Sequence, residues 1–501
     1  MLNDLLPDQH DLPKLVIQGI TDDSRMVEQG DLFIAVPGMT VDGRDFIKDV
    51  EARNAAGVLC ESPAPQVEIS IPVVAIENLK TRTGDIAGRY YGNPSSQLLV
   101  VAITGTNGKT SCSHFVSQGL SIMGARCGVI GTMGYGTLTD TNGDLASNEH
   151  PWSLKTTSPA AGLTTPGPIN LQKHLAYLVN DSCTAVALEA SSHGLEQGRL
   201  NGTQIDVAVF TNMTRDHLDY HKDFEGYQKS KQKLFAWEGL KTAIVNRDDE
   251  FGQKLCQSIS DGVEVFSTSI SGSEADIYCR DIHLDNDGLS FGVSSPWGEA
   301  TIKSPLMGRF NAHNLLSTLA VLGSQGYAFD ETIRAISNIG MVKGRMEVIR
   351  NAYQPTVVID YAHTPDALEK ALQATREHCG GELWCVFGCG GDRDKGKRPQ
   401  MGEIASQVAS HVMITDDNPR SESSMVIAND IFKGVVPGAD VEIETNRRAA
   451  IWKVLSKADP GDVVLIAGKG HEEYQEVLGK KLAFSDHEVV RGFVSKSISS
   501  S

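Results

Sequence analysis

The chain has 501 residues, of which 40% are hydrophobic and 22% charged, with a formal net charge of −18. That length exceeds one ordinary core and points to about two to four domains. The acidic balance excludes non-specific binding to a nucleic acid polymer, which needs basic surface, but it leaves room for a local Arg/Lys cluster that holds an anionic small molecule.

The first block, residues 1–94, contains short apolar strands at 31–36 and 71–76 with helical patterns between them. It reads as a small α/β unit, closed by the turn-rich Gly92-Asn93-Pro94-Ser95-Ser96. Asp4 and Asp8 stand where a signal peptide would carry a basic start, and no run of about 18 apolar residues appears. A cytoplasmic chain without a membrane span is expected. Turn chemistry explains Asp22-Asp23-Ser24-Arg25 and the Gly38 to Gly43 stretch.

The second block, 95–341, opens with a buried strand, Leu98 to Ile103. Thr104-Gly105-Thr106-Asn107-Gly108-Lys109-Thr110-Ser111 follows, a glycine turn leading into a helix. Gly105 and Gly108 let backbone approach phosphate oxygens, and the helix start points N–H groups at an anion. Lys109 can reach the terminal phosphates of a nucleoside triphosphate, and the Thr110 hydroxyl can join a Mg2+ shell. The general phosphate-loop pattern wants glycine where Ile103 stands. The loop is therefore a variant belonging to a narrower family, or a strand–turn–helix connection that binds nothing. Ala185 to Leu188, Val207 to Phe210 and Ala243 to Asn246 are continuous apolar runs, as parallel strands covered on both faces require. A β-rich stretch spans 278–302, and a helix is expected over 311–322. Glu189 could share Mg2+ with Thr110. His217 could help hold a second metal, or merely cap a turn. Lys231, on a helical pattern rich in lysine, reads locally as a solvated side chain.

The third block, 342–501, has strands at 356–360, 383–387, 411–415 and 463–467. Each ends in polar or glycine residues, and ligands of doubly wound sheets bind beyond the carboxyl ends of strands. Arg420, after Asp417-Asn418-Pro419, could clamp a carboxylate with two hydrogen bonds, with Arg393 as a second clamp. Glu472 could accept from an ammonium. The set suits a zwitterionic amino acid; the alternative is surface ion pairs at loop tips. Cys385 and Cys389 read as reduced thiols rather than a zinc pair, since no second pair accompanies them. The tail from Ser495 to Ser501 is expected to fray.

Taken in order, these motifs resemble the Mur ligase family of ATP-dependent amide-forming enzymes in peptidoglycan precursor synthesis. The resemblance rests on the 105–110 loop, Thr164-Thr165-Pro166, Glu189-Ala190-Ser191-Ser192-His193-Gly194, Asp216-His217-Leu218-Asp219, Asn311-Ala312-His313-Asn314, Gly344-Arg345-Met346-Glu347, Asp360-Tyr361-Ala362-His363-Thr364-Pro365 and the Gly388 to Arg398 stretch. It implies three α/β domains: a small N-terminal domain, a central domain with a phosphate loop and mostly parallel sheet, and a Rossmann-like C-terminal domain. It further implies that Asp22, Ser24, Met39, Thr40 and Val41 face the UDP end of a UDP-MurNAc-L-Ala-D-Glu substrate, and that Thr164, Thr165, Ser191, Gln197 and Arg199 hold its peptide portion. Lys231 would be carbamylated and would join Thr110, Glu189 and His217 around metal, against the local reading. Asn311, Asn314, Arg345, Asp360 and His363 would surround ATP, His363 among the catalytic groups with Lys109, His217 and Lys231. Asp417-Asn418-Pro419-Arg420 is similar to the pattern of members that add meso-diaminopimelate, whose extra carboxylate Arg420 would read. Arg393, Gly468 and Glu472 would complete that pocket. The chain departs from the pattern at Leu163, where Asn is common, and at Asn446-Arg447, where Asp-Arg is common. Met39-Thr40-Val41 is the weakest match.

The implied chemistry is an acyl phosphate made from ATP and a carboxylate, then attacked by an amine. Such an intermediate demands water exclusion, so closure of the third block on the second is expected. A monomer is expected. The competing classes are a folylpolyglutamate-synthetase-like ligase, which needs neither the first block nor Arg420, and a non-catalytic nucleotide-binding protein.

Overall fold

The computed structural model describes residues 1–38, 41–66, 68–140, 152–156, 163–216, 218–272, 274–285, 287–350 and 354–499. The chain is α/β and divides into two compact units. One comprises Met1–Thr139, Leu154–Thr268 and Ala320–Tyr327; the other comprises Asp140–Ser153, Ser269–Leu319 and Ala328–Ser501.

In the first unit a four-stranded parallel sheet runs Gly19–Thr21, Asp31–Ala35, Gly57–Glu61, Val73–Ile76 in spatial order. It packs beside a larger sheet rather than standing apart. Helix Leu79–Tyr90 lies against helix Pro168–Asn180, and Ile169 joins the apolar core of the small sheet. At the seam, a Cβ on Gly84 would sit 1.8 Å from the Asn201 carbonyl oxygen, and Asn201 Nδ2 donates to Thr81 O at 2.9 Å. Only glycine permits that approach.

The larger sheet has six parallel strands in the order Glu264–Ser269, Thr242–Asn246, Val207–Phe210, Leu99–Thr104, Ala185–Glu189, Cys127–Gly131, with Gly134–Asp140 antiparallel beside Cys127–Gly131. The continuous apolar runs are buried along their length, as covered parallel strands must be. Leu99–Thr104 is central, between Val207–Phe210 and Ala185–Glu189. The phosphate loop and Glu189 thus emerge side by side at the carboxyl edge.

The second unit begins with an antiparallel meander, Ile277–Asp285, Gly288–Ser295 and Gly298–Ser304, where the sequence shows its β-rich stretch. A six-stranded sheet follows in the order Glu347–Ile349, Thr356–Asp360, Val463–Ala467, Leu383–Phe387, His411–Ile414, Asp440–Ile443, parallel apart from the first edge. Alternate residues feed two cores. Val358, Leu383, Cys385 and Phe387 pack with helices Pro365–Glu377 and Lys397–Val408. Val357, Ile359 and Val386 pack with Arg447–Lys457 and the final helix. Val463–Ala467, last in sequence, fills the slot between Thr356–Asp360 and Leu383–Phe387. That reversal is the switch point where doubly wound sheets open a crevice. The expected fraying of the tail is corrected in part: the final helix runs Asp486–Ser499, because Val489 and Val490 are fully buried and anchor it.

Candidate active site

The phosphate loop is built on strain that glycine relieves. Gly105 has φ +151° and Gly108 φ +84°, and a Cβ on Gly105 would meet Thr211 Oγ1 at 1.9 Å. The next parallel strand's end pins the turn. Thr106 N donates to Asn212 O at 2.8 Å, Asn107 N to Asn212 Oδ1 at 3.0 Å and Thr211 Oγ1 to Asn107 O at 2.6 Å.

Two lysines converge on this turn. Lys109 Nζ donates to Gly105 O and Thr106 O, both at 2.9 Å. Lys231 Nζ reaches the same Gly105 carbonyl at 2.6 Å. Lys231 is not the solvated lysine that its local sequence indicates: it is 1% exposed. Helix Phe224–Gln232 turns it inward beside Tyr227, whose ring centroid lies 4.7 Å from Nζ. The Tyr227 hydroxyl lies 3.0 Å from Thr106 Oγ1. Burial, and secondly the Lys109 ammonium, hold the Lys231 amine well below the ordinary lysine range.

Glu189 is 1% exposed and has no cationic partner within ion-pair distance among the described residues. It accepts from Thr110 Oγ1 at 3.0 Å and from Thr132 N and Oγ1 at 2.9 and 3.0 Å. The peptide-binding candidates continue from it. Thr165 Oγ1 donates to Glu189 O at 2.7 Å and lies 2.9 Å from Ser191 Oγ. Thr164 Oγ1 accepts from Thr132 at 3.2 Å. Arg199 donates to Thr165 O at 2.8 Å and, through Nε and Nη2, to Gln197 Oε1 at 3.0 and 2.7 Å. Among the described residues no carboxylate meets Arg199, and burial lowers its affinity for a proton. Such a guanidinium invites an anionic ligand. Thr110 and Glu189 offer hard oxygen donors beside the loop. Among the described residues no group of three or more His, Cys, Asp or Glu could hold a metal ion. A hydroxyl and a carboxylate are the kind of oxygen donor that Mg2+ takes, one or two at a time, completing its shell with phosphate and water.

In the second unit the four strand ends come together. Lys469, fully buried, lies 3.1 Å from Asn418 Oδ1, 3.1 Å from Glu472 Oε2 and 3.4 Å from Asp417 Oδ1. Asn418 Nδ2 donates to Glu472 Oε2 at 3.0 Å. Gly468 has φ +114°, and a Cβ there would lie 2.9 Å from Asp417 Oδ2. Pro419 carries the chain on to Arg420, which takes a left-handed φ of +50°. Its Nε meets Glu476 Oε2 at 3.0 Å and its Nη1 donates to Gly391 O at 2.8 Å. Backbone bonds to Glu476 O and from Leu478 N, 2.9 and 2.7 Å, fix it to the hairpin Tyr474–Val477 and Lys480–Ala483. Arg393 is exposed, with no ion-pair partner among the described residues.

Asp360 accepts from Met346 N and Ala362 N, each at 2.8 Å. Burial raises its carboxyl, opposed by Arg345. The Arg345 guanidinium lies 4.7 Å from the Tyr361 ring centroid. His363 is exposed, with Nδ1 2.8 Å from Tyr361 O. Asn311 Nδ2 donates to Met307 O at 2.7 Å and Asn314 Nδ2 to Asn311 Oδ1 at 3.1 Å.

Asp22 and Ser24 lie after the first strand, where burial raises the Asp22 carboxyl; Val41 is exposed. His217, Met39 and Thr40 lie outside the described residues. Sequence reasoning gave no role to Lys469, although it stands directly after Gly468, which was expected in that pocket. It also passed over the buried pair Arg447–Asp486, joined at 2.8 Å through both Nε and Nη2. The Asn446 departure is accounted for: its side chain caps that helix by accepting from Ala449 N at 3.1 Å, which Asn and Asp do equally well.

A variant phosphate loop on a parallel sheet, joined in one chain to a Rossmann-like unit with a charged strand-end crevice, defines a nucleotide-dependent α/β protein. Three family descriptions match along it: Mur ligase family, catalytic domain, over 16–91; Mur ligase middle domain over 103–322; and Mur ligase, glutamate ligase domain, over 344–470. The chain is similar to a UDP-N-acetylmuramoyl-L-alanyl-D-glutamate--2,6-diaminopimelate ligase of Coxiella burnetii, 44% identical over 480 residues, 95% of each chain. It is 44% identical over 489 residues to the protein of that name from Pseudomonas aeruginosa, covering 97% of this chain and 96% of the other. A solved structure of a ligase of the same name aligns at TM-score 0.71 and 35% identity, over 99% of this chain and 98% of that one. The chain belongs to the Mur ligase family.

Proposed function

We propose that this chain uses ATP to join meso-diaminopimelate to the D-glutamate γ-carboxylate of UDP-MurNAc-L-Ala-D-Glu. The observation that carries the reading is the Arg420 guanidinium, held beside the Asp417–Asn418–Glu472–Lys469 cluster with its Nη2 left for a ligand. Carboxylate acceptors for an ammonium and a guanidinium for a carboxylate stand on adjoining loops, as a diamino dicarboxylic acid requires. The names of the 44% identical relatives support it.

In the mechanism, Lys109 neutralises charge on the terminal phosphates while the substrate γ-carboxylate oxygen attacks the γ-phosphorus and ADP leaves. Arg199 and Thr165 orient the peptide end of that substrate. Thr110 and Glu189 would hold Mg2+, which supplies further neutralisation of phosphate oxygens. Asp417 and Glu472 hold the incoming diamino acid, whose neutral amine attacks the acyl carbon; the tetrahedral oxyanion collapses and inorganic phosphate departs. Burial disfavours the Lys231 ammonium; its free amine is the nucleophile that CO2 requires, and its carbamate would face Lys109. The further reading is a cytoplasmic monomer with segments 1–94, 95–341 and 342–501 for the UDP-substrate, ATP and amino acid. Among the described residues no helix is long and apolar enough to cross a membrane.

The test is phosphate release with ATP and UDP-MurNAc-L-Ala-D-Glu, comparing meso-diaminopimelate, lysine and no amino acid. Release that depends on diaminopimelate is expected. Equal release with lysine overturns the Arg420 assignment, and no amine-dependent release overturns the ligase reading.

A further inference from the structure

Lys469, in the strand-end crevice, has an ammonium enclosed by polar partners. It follows strand Val463–Ala467, and its side chain is 0% exposed. An ammonium has three N–H donors, and three acceptors stand round it: Asn418 Oδ1 and Glu472 Oε2 at 3.1 Å and Asp417 Oδ1 at 3.4 Å. The Tyr474 ring centroid, 5.8 Å away, closes another side. None of the three acceptors lies in an apolar core; all belong to loops beyond strand ends.

We propose that Lys469 is the positioning residue of the amine-acceptor site. It holds Asp417, Asn418 and Glu472 as one array for the substrate ammonium, and through Asn418 it sets the arginine that reads the substrate carboxylate. The inference deepens the proposed function and rests on it.

Charge sets the first half. Asp417 and Glu472 bring two negative charges to one lysine, so the array keeps a net single negative charge that an arriving ammonium completes. Without Lys469 the two carboxylates would face each other with no cation between them, and both would lose the direction Nζ gives them. Arg447 does not replace it, because Asp486 already takes that guanidinium through two bonds of 2.8 Å. Connectivity sets the second half. Asn418 Oδ1, the atom Lys469 holds, also accepts from Glu476 N at 2.9 Å. Glu476 in turn bonds the Arg420 backbone and the Arg420 Nε. One buried ammonium thus ties the ammonium-reading and carboxylate-reading halves of the pocket together.

Lys469→Met keeps side-chain length and removes the charge. Steady-state phosphate release, with each of the three substrates varied, is expected to show KM for meso-diaminopimelate raised at least tenfold. KM for ATP and for UDP-MurNAc-L-Ala-D-Glu should stay within twofold of wild type. Because a charge deletion can impair folding, Asn418→Asp is measured in parallel: it keeps an oxygen for Lys469 and for Glu476 N but loses the Nδ2 bond to Glu472, and a smaller rise in the same KM is expected. Glu472→Gln and the double variant Lys469→Met/Glu472→Gln complete the set. If Lys469 acts through Glu472, the double variant is no worse than about threefold beyond the worse single one. An unchanged KM for diaminopimelate in folded Lys469→Met, a uniform fall in kcat with all three KM values unchanged, or fully multiplicative losses in the double variant overturns the proposal. If Lys469→Met does not fold, an unchanged diaminopimelate KM in Asn418→Asp overturns it. A wild-type chain that releases no phosphate on adding any diamino acid overturns the ligase reading instead, so the two failures are told apart.

Discussion

Replacing Arg420 with alanine separates recognition from folding. The side chain is 22% exposed, and its partner Glu476 is 28% exposed. A pair that wet contributes about 1 kcal/mol or less to stability. Alanine inherits the same left-handed backbone, so no new strain arises. In a chain of this size the melting temperature should fall by no more than about 4 °C. Recognition is a larger matter. A charge-assisted contact to a carboxylate contributes about 1.5–3 kcal/mol, and Nη2 with the adjoining guanidinium edge can make a two-point contact. A combined loss of about 2–4 kcal/mol lowers kcat/KM for meso-diaminopimelate by about 30- to 700-fold. Lysine lacks that carboxylate, so its kcat/KM should hold or rise as an unsatisfied guanidinium is removed. The assay is phosphate release with each amine at saturating ATP and UDP-MurNAc-L-Ala-D-Glu, beside a thermal melt. Equal losses for both amines, or no loss for diaminopimelate, would mean that Arg420 does not read the second carboxylate.

Lys231→Ala should abolish phosphate release and recover part of it with added short-chain carboxylates; full activity without them removes the carbamate role. Gly105→Ala forces a Cβ against Thr211 Oγ1, 1.9 Å away in the native geometry, and should raise KM for ATP at least tenfold while KM for diaminopimelate stays within twofold. Glu422 is held at about 2 by hydrogen bonds, first from Arg398. Its folded value lies below its ordinary one, so the stability it adds is present above about 4.5 and is lost as pH falls through about 2. Urea unfolding at pH 5 and pH 3.5 should show a smaller acid loss in Glu422→Gln than in wild type; equal losses would contradict this.

Parallel strands announce themselves because both faces are covered, and Val463–Ala467 or Ala185–Glu189 could hardly be read otherwise. The edges do not. Glu347–Ile349 is three residues long, and Asp440–Ile443 alternates acid and aliphatic, so neither stands out from a loop. Burial of lysine is likewise hidden by composition. Lys229, Lys231 and Lys233 look like one solvated run, yet each step of two residues turns a helix by about 200°. Lys229 and Lys233 therefore face outward to Glu225 and Glu196, while Lys231 faces in. A signal was present: Tyr227, Lys231 and Leu234 are spaced as one buried stripe, with a lysine where an apolar residue belongs. Lys469 had no such stripe to betray it. Its three acceptors lie on two different loops, and only the strand order brings them to one point.

The geometry around Gly105 explains why Lys231 and Lys109 should differ in charge. Both amines donate to one carbonyl oxygen, at 2.6 and 2.9 Å. Two ammonium groups sharing one acceptor repel, and the group with less access to water gives up its proton more readily. Lys231 is the buried one. A neutral amine carries the lone pair that CO2 needs, and carbamate formation releases one proton and leaves one negative charge. That charge would stand within the same turn as the Lys109 ammonium. Attraction to Lys109 then follows, and the acceptor that the two amines shared is left to Lys109 alone. By the same reasoning, removing Lys109 should raise the Lys231 value and disfavour the carbamate. Carbon-13 spectra under labelled bicarbonate should therefore show a weaker carbamate signal in Lys109→Met than in wild type. An equal signal in both would mean that burial alone keeps Lys231 neutral, and that the pairing of the two lysines plays no part.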